Sequence, residues 1–171
     1  MLGLTDIPAG PSVEGINMHS QDTVKLLNEL IQTSEDGKKG FTEASQEAKK
    51  ADLKSLFKQR AADCGTAVLE LQTLVHSLGG TASDGGTVSG AMHRGWAKVK
   101  TAMGDADIAV LESVERAEDK AKAAYQKALT GTLPQQIRLV VQRQHDNAVR
   151  NHDIVRNLRD SYKSIKGIHA D

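Results

Sequence analysis

One cysteine, Cys64, in 171 residues leaves the chain no internal disulfide to lean on, and a lone thiol suits a reducing compartment. Prolines number three and aromatic residues make up only 3%, so helix breakers are rare and the β-branched and aromatic runs of strands are missing. No charge of one sign dominates: Lys plus Arg and Asp plus Glu stand at 22 each, which removes the overall field that gathers nucleic acid, anionic lipid or acidic substrates. No stretch approaches the roughly 20 apolar residues that span a bilayer. Met1 to Asn17 lacks both the basic opening and the apolar run of a secretory signal. These absences predict a cytoplasmic protein that engages neither membrane nor nucleic acid.

What is present is helical periodicity. Val24, Leu27, Leu30, Ile31, Phe41, Ala44 and Ala48 recur at helical spacing from Ser20 onward, interrupted by Gly37 and Gly40, which cost about 1 kcal/mol each in a helix interior and leave room for a kink or a break. Leu53, Phe57, Ala61, Cys64, Val68, Leu71, Val75 and Leu78 form a second apolar line stopped by Gly79-Gly80. A shorter helix along Val88, Met92, Trp96, Val99 and Met103 is expected within a crossover at 80–104. Asp105 then caps a helix along Ile108, Leu111, Val114, Glu118, Ala121, Tyr125 and Ala128. Pro134 opens the last one, through Ile137, Val141, His145, Ala148, His152, Val155, Leu158 and Tyr162. The domain plan is a flexible N-terminal tail at 1–19, a bundle at 20–163 and a C-terminal tail at 164–171.

Short turns make the first and second long helices antiparallel, and likewise the third and fourth. The crossover is long enough to run back along the bundle, so the middle pair can point the same way. The fold class is therefore all-α, an antiparallel four-helix bundle with one long helical crossover, the layout of ferritin-like bundles.

Leu27-Asn28-Glu29-Leu30-Ile31, Asp36-Gly37-Lys38-Lys39-Gly40-Phe41, Gly90-Ala91-Met92-His93-Arg94-Gly95-Trp96, Glu115-Arg116-Ala117-Glu118-Asp119 and the run His152 to Asp160 together resemble the PA2169-like (DUF2383) family. Its members are bacterial four-helix bundles of unknown function, placed in the ferritin-like superfamily. The likeness covers about Ser20 to Tyr162 and is most specific around His93-Arg94-Gly95-Trp96. It implies a fold and a bacterial origin, and no activity.

Ferritin-like di-iron proteins carry Glu-x-x-His pairs because positions i and i+3 project to one face. No Glu here is followed by His three residues later, so ferroxidase or oxygenase chemistry is not expected. Glu118, His145 and His152 nevertheless fall on apolar lines, where buried carboxylates and imidazoles need partners. They form a candidate metal set for Fe or Zn, against a structural reading in which they satisfy one another or Arg60. Ser34 and Gly37 supply small volume beside Tyr125, Glu29 lies off the apolar line, and Cys64 reads as a small buried hydrophobe. His93, Arg94 and Trp96 form a candidate partner or anion surface, with docking of the crossover as the structural alternative. Arg138, Arg143, Arg150, Arg156 and Arg159 spread around the last helix rather than forming a nucleic-acid stripe. No P-loop, dinucleotide fingerprint, nucleophile elbow or Cys-x-x-Cys occurs. The expected function is non-enzymatic: self-association as a homo-oligomer, or binding of a protein partner, in a stress setting. The alternative is a metal-binding or redox role for a degenerate site in the bundle core.

Overall fold

The computed structural model describes residues 13–85 and 104–168. Four helices run through them: α1 (Val13–Glu47), α2 (Ala51–Ser77), α3 (Ala106–Thr130) and α4 (Gln135–Ile168). No strand occurs among the described residues, and none of these helices is long and apolar enough to cross a membrane.

The apolar lines meet in two clusters, one toward each end. Leu27, Leu30 and Ile31 of α1 join Val68, Leu71 and Val75 of α2, Tyr125 and Ala128 of α3, and Ile137 and Val141 of α4. Phe41, Ala44 and Ala48 join Leu53 and Phe57, Val110, Leu111 and Val114, and Val155. The first cluster thus takes the early part of α1, the late parts of α2 and α3, and the early part of α4, and the second takes the opposite parts. It follows that α2 and α3 point the same way while α1 and α4 run against them. α1 packs against α2 and α3, and α4 against α3, so the four rods form an all-α bundle whose packed neighbours are antiparallel.

Local signals explain how the chain makes this path. α2 ends on Gly79 (φ +72°), with Gly79 N–H donating to His76 O at 2.9 Å and Gly80 N–H to Val75 O at 3.0 Å. This pair of hydrogen bonds engages two of the last carbonyls and needs the left-handed conformation that glycine adopts without strain. The chain then lies back along α1. Asn28 holds it from both sides, its Nδ2 donating to Thr81 O at 3.0 Å while its Oδ1 accepts from Ser83 N–H at 2.7 Å. Lys39 Nζ, three helical turns further on, donates to Gly85 O at 3.1 Å. A segment travelling from Asn28 to Lys39 is heading for the far end of the bundle, where α3 must start if it is to run alongside α2.

At that end Asp105 caps α3, accepting from Asp107 N–H at 2.9 Å and Ile108 N–H at 3.3 Å. Asp107, itself buried, accepts from the backbone N–H groups of Lys49 (2.6 Å) and Lys50 (3.2 Å), tying the start of α3 to the turn between α1 and α2. At the other end Arg138 donates to Leu129 O (2.8 Å) and Gly131 O (2.6 Å), placing a cation on the C-terminal carbonyls of α3.

Three expectations change. α1 begins at Val13, ahead of Ser20, and it passes through Gly37 and Gly40 without a break. A Cβ on Gly37 would stand 3.2 Å from Cys64 Sγ, so this glycine serves the close approach of α1 and α2 rather than a kink. α4 likewise continues to Ile168, past Tyr162. The expected crossover helix falls at 86–103, outside the described residues.

Candidate functional site

Between the two apolar clusters the bundle changes character. α1 contributes Ser34 and Gly37 there, α2 contributes Arg60 and Cys64, α3 contributes Glu118 and Tyr125, and α4 contributes Gln144, His145 and His152. Helical phase puts these groups in the middle because each stands three or four residues from an apolar neighbour on its own line.

Tyr125, 4% exposed, organises one half of this layer. Its hydroxyl donates to Gln144 Oε1 at 2.9 Å; with its single proton committed there, it accepts from Ser34 Oγ, also at 2.9 Å. Gln144 Nε2 passes the chain on to Glu70 Oε2 at 2.8 Å, and Arg143 Nη2 closes it at 2.9 Å from the same carboxylate. Five side chains thus carry hydrogen bonding from the core to the surface. Burial pushes the Tyr125 phenol up to about 12 against the lowering effect of its Ser34 bond, so it stays a neutral hydrogen-bonding group.

Glu118 marks the other half. It is 5% exposed and its Oε1 has no hydrogen-bond partner. Burial pushes its carboxyl from 4.5 to about 7; the Arg60 and Lys122 cations pull the other way and Asp119 adds to the rise. Arg60 is itself engaged by Asp63 at 3.0 Å and Lys122 lies 3.8 Å from Asp119, so neither cation belongs to Glu118 alone. Cys64 sits in the same surroundings. Burial first, then the Glu118 and Asp63 charges, push its thiol up to about 12 although Arg60 opposes them. A thiol held that high forms almost no thiolate at neutral pH, which makes Cys64 the small hydrophobe expected from its place on the α2 line.

The two histidines part company. His152 is buried with both ring nitrogens facing carboxylates: Nε2 lies 3.0 Å from Asp119 Oδ1 and 3.8 Å from Glu115 Oε1, and Nδ1 lies 3.3 Å from Asp153 Oδ1. Glu115 is also ion-paired with Arg159. His145 Nδ1 is buried and stands 3.5 Å from Asp146 Oδ1, too poorly aligned to hydrogen-bond. Among the described residues no three or more His, Cys, Asp or Glu side chains converge to hold a metal. Of the candidate set, Glu118 Oε1 and His145 Nδ1 are orphaned buried atoms, whereas His152 is taken up by acids of α3 and α4.

The remaining candidates are quickly placed. Glu29 is exposed and pairs with Lys127 at 3.3 Å. Of the α4 arginines, Arg138 caps α3, Arg143 binds Glu70, Arg150 bonds Asn147, Arg156 stands 3.3 Å from Asp153 and Arg159 engages Glu115 and Asp160. His93, Arg94 and Trp96 lie outside the described residues. Sequence reasoning missed Gln144 and Glu70. The signal for Gln144 was available: it sits on the apolar line between Val141 and Ala148, where a polar side chain demands a partner.

No curated protein matches the chain. A family model described as "Domain of unknown function (DUF2383)" matches residues 22–131, from the start of the α1 apolar line through the end of α3. With well over half of its length matched, the chain belongs to the DUF2383 family.

Proposed function

We propose that this bundle is a non-enzymatic cytoplasmic protein of the ferritin-like superfamily that works by self-association or by binding a protein partner, in a stress setting. The superfamily placement rests on the antiparallel neighbours and the co-directional α2 and α3, and the stress setting on analogy within that superfamily. One observation carries the interaction reading. Leu69, Leu139 and Ile165 are 66%, 64% and 53% exposed, and Ile154 is also turned outward, while polar groups occupy the middle of the core. Large apolar groups left on outer helix faces gain most when another surface covers them. Sedimentation of the full chain over a wide concentration range tests it. The wild type is expected to self-associate, and a Leu139→Ser, Ile154→Ser, Ile165→Ser variant with unchanged helicity to sediment as a monomer. A wild type that stays monomeric throughout overturns self-association.

A second reading has its own support, because Glu118 Oε1 and His145 Nδ1, two of the three candidate ligands, are the buried side-chain atoms left without a partner among the described residues. Such atoms fit a ligand only in part here, since His152 is held by Asp119 and Glu115, and no reaction step follows from them. Fe or Zn at one equivalent in protein purified without chelator, lost in His145→Ala, is the result this reading expects. Metal content unchanged by that substitution contradicts it.

A further inference from the structure

We draw no further inference here: the strongest candidate, the Glu118, Arg60, Cys64 and Lys122 cluster in the middle of the bundle, belongs to the site already described, and only the raised Glu118 pKa would carry it further.

Discussion

Glu118→Gln is expected to make the bundle more stable at pH 8, by up to about 3 kcal/mol, and to leave it nearly unchanged at pH 4. The sign follows from proton binding. With the carboxyl at 4.5 when unfolded and about 7 when folded, the native state holds the extra proton between those values. Stability from this group is fully present below about pH 4.5 and is lost as pH rises through about 7. Above that, the ionised carboxylate is buried with an oxygen that no protein group hydrogen-bonds, and Arg60 and Lys122 offset only part of the cost. Glutamine keeps the shape and removes the titration. Urea unfolding of both proteins from pH 4 to 8 gives the difference directly, and because other titrating groups are common to both, they largely cancel. Parallel pH profiles would show that Glu118 titrates like an ordinary surface carboxylate.

Phe57→Ala should cost about 3 to 5 kcal/mol. Phe57 is fully buried and is the largest such side chain among the described residues, its ring centroid 6.2 Å from that of Phe41, in the cluster that also holds Leu53, Leu111 and Val155. Truncation removes apolar contacts within that cluster, to which all four helices contribute, and leaves a cavity that a close-packed core closes only in part. Leu139→Ala, at 64% exposure, is the matched control and, at concentrations low enough to keep the chain monomeric, should shift stability by no more than about 0.5 kcal/mol. Chemical denaturation of the monomer separates the two. Equal effects at both positions would mean that the clusters are misassigned.

The two substitutions mark where sequence reasoning succeeds and where it stops. Phe57 was legible because α2 writes its buried face as an unbroken line from Leu53 to Val75, and Gly79 and Asp105 announce helix ends through backbone chemistry local to a few residues. Glu118 was legible as a buried polar residue for the same reason. Its surroundings were not. The partners that decide chemistry here are far apart in sequence: Ser34 with Tyr125, Gln144 with Glu70, His152 with Asp119, Asp107 with the Lys49 and Lys50 amides. Periodicity tells which face a residue occupies and says nothing about which residue of another helix stands opposite. Gly37 shows the converse failure, since local propensity argued for a kink while tertiary contact with Cys64 explained the glycine.

The same limit applied to the direction of α3, which the loop length allowed and did not dictate. The co-directional run of α2 and α3 is the claim on which the family of readings above depends, and paired spin labels test it most directly. In a Cys64→Ala background, labels at Thr73 and Gln126 both stand at the level of the cluster that holds Val68, Leu71, Val75 and Tyr125, whereas a label at Gln59 is offset from Thr73 along the axis by about 21 Å, fourteen residues at the helical rise. Pulsed electron resonance is therefore expected to give a shorter distance for the Thr73 and Gln126 pair than for the Gln59 and Gln126 pair. A shorter distance for Gln59 and Gln126 would reverse α3 and contradict the fold described.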